Sequence, residues 1–176
     1  MPINDVCIID TNVPLTANLA TSQDETEIDL ECIEACIETI NNVKDEKIRI
    51  ALDDENEIFS EYMNKLSLSG QPGVGDAFLK WIYDNQWNSK YCDRIPITKE
   101  GDSYHEFPMS EALQNFDRSD RKFVTVASVH PKKPPIMQAT DSKWWGWSDA
   151  LDEVGISVIF LCESYISSKY AEKMEK

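Results

Sequence analysis

Two apolar runs in this 176-residue chain end on aspartate: Cys7-Ile8-Ile9-Asp10 and Ile136-Met137-Gln138-Ala139-Thr140-Asp141. In open α/β sheets, functional groups collect at the carboxyl ends of strands, so such runs aim carboxylates into one crevice. Carboxylate oxygens suit hard divalent cations such as Mg²⁺ and Mn²⁺, which retain water and neutralise charge building on a phosphate. A site of that kind gathers about three or four acids from distant positions, close enough that a cation makes the cluster tolerable. Other catalytic chemistry is thinly represented. There is no Gly-x-Ser-x-Gly elbow, and the two histidines, His105 and His130, sit in no triad context.

The elements that must position these acids can be read from periodicity. Asp5–Asp10 reads as a buried first strand. Val13–Leu19 begins as a short helical stretch. Ile28–Val43 has apolar residues at 33, 36, 37 and 40, which predicts an amphipathic helix. Lys47–Leu52 alternates as a strand, and Glu57–Leu66 returns to helical spacing. The cluster Gly70–Gly75 reads as a plain turn, since it lacks the Gly-Lys-Ser/Thr ending of a phosphate loop. A helix follows over Asp76–Asn85. Cys92–Glu106 reads as a loop with an extended piece around Ile95–Ile97.

Ser110–Phe116 and Ser119–Ser128 predict short helices, although Phe123-Val-Thr-Val126 also favours sheet. Met137–Asp141 is extended, Asp149–Val154 helical, and Ile156–Cys162 a nearly continuous apolar strand. A polar tail with Lys169, Lys173 and Lys176 follows Glu163. Strands alternating with helices predict an α/β domain with a mostly parallel central sheet and helices on both faces.

Net charge is −15, which excludes a protein that simply coats nucleic acid. The acidity is uneven. Residues 1–62 hold 16 acids against 3 bases, whereas Asp117–Lys143 reverses to six bases against three acids. An acidic body with one basic segment fits an enzyme that touches phosphates in one place. No stretch reaches the roughly 20 apolar residues of a membrane helix, and Met1–Asp5 has none of a signal peptide's features. The expected location is the cytoplasm. The five scattered cysteines read as buried, reduced thiols; Cys32 and Cys36 lie one helical turn apart but offer too few ligands for structural zinc.

Four segments together resemble the PIN-domain nucleases, and the resemblance covers most of the chain. Ile8-Ile-Asp-Thr-Asn12 is similar to that family's opening strand and first metal-binding aspartate. Ile58-Phe-Ser-Glu61-Tyr62 is similar to the helix that supplies its conserved glutamate. Asp120-Arg-Lys-Phe-Val-Thr-Val-Ala127 resembles the helix of the third acid, and Ala139-Thr-Asp141-Ser142 the position of the fourth. The resemblance implies a three-layer PIN-like fold over residues 1–165, with an added surface at about 70–108 and a polar tail at 166–176. It implies that Asp10, Glu61, Asp120 and Asp141 hold one or two Mg²⁺ or Mn²⁺ ions for hydrolysis of a phosphodiester. Asn12 would steady Asp10 or a bound water, with Thr11 and Ser142 in support.

This sequence departs from the family pattern at Lys143, where a further acid often stands. Asp117, one turn before Asp120, is a second candidate for the third position. Arg118, Arg121, Lys122 and Lys143 are the expected phosphate contacts. Trp144, Trp145 and Trp147 could stack on bases, but more often such residues fill a core.

The expected activity is a metal-dependent endoribonuclease, with RNA as substrate and DNA as the second substrate class. A catalytically silent PIN-like scaffold is the alternative. A phosphatase is disfavoured because Asn12 stands where the haloacid dehalogenase pattern wants a second Asp. A nuclease of this size also implies a restraining partner, an antitoxin or a component of a defence complex, and a homodimer would lengthen the groove for RNA.

Overall fold

The structure, a computed structural model, describes residues 5–175; the N-terminal residues 1–4 and Lys176 of the tail, both read above, lie outside the described residues. Five strands form a parallel sheet: β1 (Val6–Ile9), β2 (Arg49–Asp53), β3 (Cys92–Ile95), β6 (Ile136–Gln138) and β7 (Val158–Phe160). Their order is β3-β2-β1-β6-β7, and a two-stranded hairpin, β4 (Lys99–Glu100) with β5 (Ser103–Tyr104), stands apart from it. The helices are α1 (Asn12–Ala17), α2 (Leu30–Lys44), α3 (Glu57–Lys65), α4 (Val74–Asn85), α5 (Arg121–Val129), α6 (Ser142–Glu153) and α7 (Glu163–Met174).

The chain steps from β1 outward to β2 and β3, then returns to the other side of β1 for β6 and β7. Right-handed crossovers therefore place α1, α2 and α4, which pack on one another, on one face and α5 and α6 on the opposite face. With both faces covered, β1 is buried at every residue, which is why its sequence is continuously apolar rather than alternating. The direction reverses between β1 and β6, whose pairing runs Ile8 to Ile136 and Ile9 to Met137. That reversal opens a crevice at their carboxyl ends.

Several elements differ from their sequence reading. Cys92–Ile95, read as part of a loop, is edge strand β3, paired along its whole length with β2. Residues 70–108 are therefore part of the framework as well as surface, since they also carry α4. The cluster Gly70–Gly75, read as a turn, runs into α4, and in its first turn glycine has a steric reason: a Cβ on Gly75 would lie 2.0 Å from the Pro14 carbonyl oxygen. Phe123–Val126 is helical, because α5 must cover β1, β2 and β6 and nearly all its residues are buried.

Helix α6 starts seven residues earlier than the periodicity implied, at Ser142. Trp144 is buried and meets Phe116 edge-on at 5.3 Å, so it is a core residue; Trp147 contacts the same ring at 5.6 Å and Trp145 meets Phe160 at 5.1 Å. Strand β7 is apolar yet only partly covered, with Ile159 44% exposed, because it is the opposite sheet edge. The expected polar tail is helix α7. It packs on α6, where the ring of Tyr170 occupies the space left by Gly146, and it buries Ile166.

The cysteines require a correction as well. Cys7, Cys36 and Cys92 are buried free thiols, each pushed up to about 12 by burial. Cys32 and Cys162, however, form a disulfide across a sequence separation of 130, with Cα atoms 4.9 Å apart. The sequence offers no local pairing signal for this bridge, because only the fold brings the start of α7 against α2. Among the described residues, no helix is long and apolar enough to cross a membrane.

Candidate metal centre

Three aspartates in this fold are nearly inaccessible to solvent, and they differ in how their oxygens are satisfied. Asp53, at the end of β2, accepts the backbone N–H groups of Glu55, Glu57 and Ile58 at 2.8–3.0 Å. It thereby fixes the start of α3. Asp76 accepts from the N–H groups of Ser67 and Gly73 and from the Asn18 amide, closing the turn before α4. Asp10, at the end of β1, is different. Its Oδ1 accepts the Asn12 N–H at 3.0 Å, but its Oδ2 is buried with no hydrogen-bond partner. A buried carboxylate oxygen without a donor is strongly unfavourable unless a proton or a cation takes the missing place.

Three other carboxylates face Asp10 from separate elements. Burial, then the charges of Asp120, Glu61 and Asp141, push the Asp10 carboxyl well above the usual carboxylate range. Glu61 comes from α3, held in place by Asp53 at its start and by the Tyr62 hydroxyl, which donates to the Ile9 carbonyl. Asp120 ends the short 3-10 turn Arg118–Asp120 and precedes α5. It is pushed up to about 7 by burial and by the charges of Asp117, Asp141 and Glu61, with Lys122 opposing. Asp141 is the N-cap of α6, where its Oδ1 accepts the Lys143 N–H at 3.1 Å. The charges of Glu61, Asp120 and Asp141 thus all reach Asp10, and those of Glu61 and Asp141 reach Asp120.

Asp117 behaves otherwise. Its carboxylate accepts from the Ser119 hydroxyl at 2.8 Å and the Ser119 N–H at 3.0 Å, and Lys143 approaches at 3.3 Å. The Ser119 hydroxyl foremost holds Asp117 below the usual range. Of the two candidates for the third acid, Asp120 is the one left without such donors.

Neighbouring polar groups join these acids into a frame. The Thr11 hydroxyl donates to Oε2 of Glu61, tying the end of β1 to α3. Asn12 directs its side chain toward β6 rather than toward Asp10. Its Nδ2 donates to Oε1 of Gln138, while its Oδ1 accepts the Ala139 N–H at 2.9 Å. Asn12 thus fastens the two strand ends that flank the crevice, and only its backbone touches Asp10. Gln138, overlooked in the sequence, is fully buried at that junction, and its Nε2 has no acceptor. Its position at the end of a short apolar strand was the available signal. Ser142 receives the Lys173 ammonium from α7 at 2.7 Å.

The expected phosphate contacts divide. Arg121 is buried: its guanidinium donates to the carbonyls of Phe116 and Gln114 and to the Ser103 hydroxyl, and stacks over Phe107. Its donors are engaged in holding the hairpin and the 110s loop to α5. Arg118 is exposed and pairs with Asp102 at 3.0 Å, and Lys143 is exposed beside Asp117. Lys122 reaches Glu61 Oε1 at 2.9 Å and donates to the Ser119 carbonyl. A cleft lined by Glu57, Lys99, Asp102, Tyr104, Arg118, Ser119 and Lys122 runs from this point toward the hairpin, and each of its cations is paired: Lys99 with Glu57 at 3.2 Å, Arg118 with Asp102 and Lys122 with Glu61.

Among the described residues, no three carboxylate oxygens lie within 4.8 Å of one another; the only group of metal-ligating atoms so gathered is Cys32, Cys36 and Cys162. The four acids therefore form no closed ligand set in this arrangement. The unpartnered Asp10 Oδ2 is the atom a bound cation would satisfy first. No protein-family model, no curated protein and no solved structure matches this chain.

Proposed function

We propose that this chain is a metal-dependent endoribonuclease of the PIN type, with Asp10, Glu61, Asp120 and Asp141 holding Mg²⁺ or Mn²⁺. The observation that carries this reading is the unpartnered Oδ2 of Asp10, buried at the crevice where the strand order reverses and faced by three further carboxylates. Bound there, the ion would supply Lewis-acid polarisation of a phosphodiester and activation of water. The residues supply the rest. Asn12 and Gln138 hold the ends of β1 and β6 at fixed separation, and Thr11 orients Glu61. Lys99, Arg118 and Lys122 line the adjoining cleft and suit the phosphates that flank the scissile bond. Each of these cations is paired with an acid, Glu57, Asp102 or Glu61, so a phosphate would have to compete for them. An inhibitory partner that covers this cleft belongs to the same proposal.

A second reading has its own support. Lys122 already neutralises Glu61, and the carboxylate oxygens are spread, which suits a silent scaffold of the same fold. One experiment separates the two. Purified protein is incubated with single-stranded and structured RNA, and with matched DNA, in Mg²⁺, Mn²⁺ or EDTA. Cleavage that requires the divalent cation and disappears in Asp141→Asn supports the nuclease. Undiminished cleavage in EDTA, or no cleavage of any substrate at high protein concentration, overturns it.

A further inference from the structure

We propose that Cys32, Cys36 and Cys162 form a second, thiolate metal site, available to a thiophilic divalent cation such as Zn²⁺ once the Cys32–Cys162 disulfide is reduced. The three sulfurs lie within 4.8 Å of one another and are buried. In a tetrahedral zinc site with Zn–S bonds of about 2.3 Å, the sulfurs stand about 3.8 Å apart, so the group needs only small side-chain shifts to close around an ion.

Two helix starts converge on it. Cys162 is the N-cap residue of α7, and Cys32 lies in the first turn of α2, where its N–H is capped by Asp29 at 2.8 Å. The positive ends of both helix dipoles favour negative charge on these sulfurs. Cys36 follows one turn into α2, on the same face as Cys32. A structural disulfide needs two cysteines. The third thiol is what turns the bridge into a ligand set.

An entry route and a source of a fourth ligand are also present. Cys32 and Cys162 open onto a cleft whose rim carries Asp29, Glu31 and Glu163. That acidic rim attracts cations and can offer an oxygen beside the sulfurs. Contacts independent of the disulfide hold α7 to α6 and to the segment that leads into α2, so the start of α7 keeps its place on reduction. Lys169 pairs with Glu27 at 2.9 Å, the Tyr165 hydroxyl donates to the same carboxylate, and Ile166 is fully buried.

The chemistry balances with a dithiol as reductant. Two electrons and two protons from the dithiol break the S–S bond and give two protein thiols and one small-molecule disulfide. A divalent cation then replaces the three thiol protons and leaves a site of net charge −1 before any fourth ligand.

The test uses the full chain, reduced with dithiothreitol, freed of it anaerobically, and titrated with Co²⁺. Thiolate-to-cobalt charge transfer in the near ultraviolet, with tetrahedral d–d bands at one Co²⁺ per chain and displacement by Zn²⁺, is the expected result. Carboxylate sites give no such charge transfer, so the acids around Asp10 cannot mimic it. Cys36→Ser should weaken binding by about tenfold or more, and Cys92→Ser should leave it unchanged. Absence of charge transfer in the reduced wild type, or equal affinity in folded Cys36→Ser, overturns the proposal. Should Cys36→Ser fail to fold, the wild-type spectrum alone decides.

Discussion

The ammonium of Lys122 lies 2.9 Å from Oε1 of Glu61, in a contact where the lysine side chain is only 11% exposed. The lysine sits on the first turn of α5, two residues beyond Asp120, and it opposes the repulsion that raises Asp120. In the absence of metal it is a buried positive charge beside these acids, while Lys143, paired with Asp117, also feels the charges of Asp141 and Asp120 from the surface. Removal of Lys122 leaves Glu61 with the Thr11 hydroxyl as its remaining donor.

This predicts a conditional effect of Lys122→Ala. In EDTA the variant should lose about 1–3 kcal/mol of stability, the range for a part-buried charge left unpaired. In saturating Mg²⁺ or Mn²⁺ the loss should shrink, because a divalent cation supplies the missing positive charge. Thermal melts of wild type and variant, with chelator and with metal, measure the difference. An equal loss in both conditions would mean that Lys122 serves only as structure, through its bond to the Ser119 carbonyl.

The pH dependence of the metal-free protein follows from Asp120. Its carboxyl is raised from 3.8 to about 7, so across that window the folded protein holds a proton that the unfolded chain has released. The contribution of Asp120 to stability in EDTA is fully present below about 4 and is lost as pH rises through about 7. Asp10 is shifted in the same direction and adds to the trend. Asp120→Asn should flatten this slope and, at pH 8, exceed the wild type by about 1–2 kcal/mol. Urea unfolding at pH 5 and pH 8 tests it. Parallel profiles for the two proteins would remove the electrostatic account of the cluster.

How much of this was legible before the structure depends on the range of each interaction. The ends of β1 and β6 are local patterns, and Asp10 and Asp141 can be read from them, whereas Glu61 and Asp120 are picked out only by the resemblance to PIN-domain nucleases. The edge strand β3 was missed because Asp93 and Arg94 break its apolar run; Asp93 instead pairs with Arg49 and His130 across the sheet. Helix α7 was read as a tail because nearly all its stabilising contacts are tertiary, to α6 and to Glu27. The Cys32–Cys162 bridge and the engaged donors of Arg121 could not be read at all. Both depend on which distant segments meet, and neither leaves a periodic trace.

The sharpest prediction rests on Asp10 itself. Asp53 shows what a purely structural buried aspartate looks like here: three backbone donors converge on its two oxygens, and Asp53→Asn should remove acceptor capacity that α3 needs. Asp10 has one donor on Oδ1 and none on Oδ2. In Asp10→Asn the retained oxygen can still accept the Asn12 N–H, while the new amide N–H₂ faces carboxylates in place of a like charge. The substitution should therefore hold or raise stability in EDTA, by up to about 2 kcal/mol. It should also abolish both metal-induced stabilisation and RNA cleavage. Asp53→Asn should do the opposite to the fold, lowering stability by about 1–3 kcal/mol with or without metal. Calorimetry of both variants, alone and with Mn²⁺, distinguishes these outcomes. If Asp10→Asn were destabilised as severely as Asp53→Asn, Asp10 would be a helix-positioning residue like its neighbour, and the site would lose its central ligand.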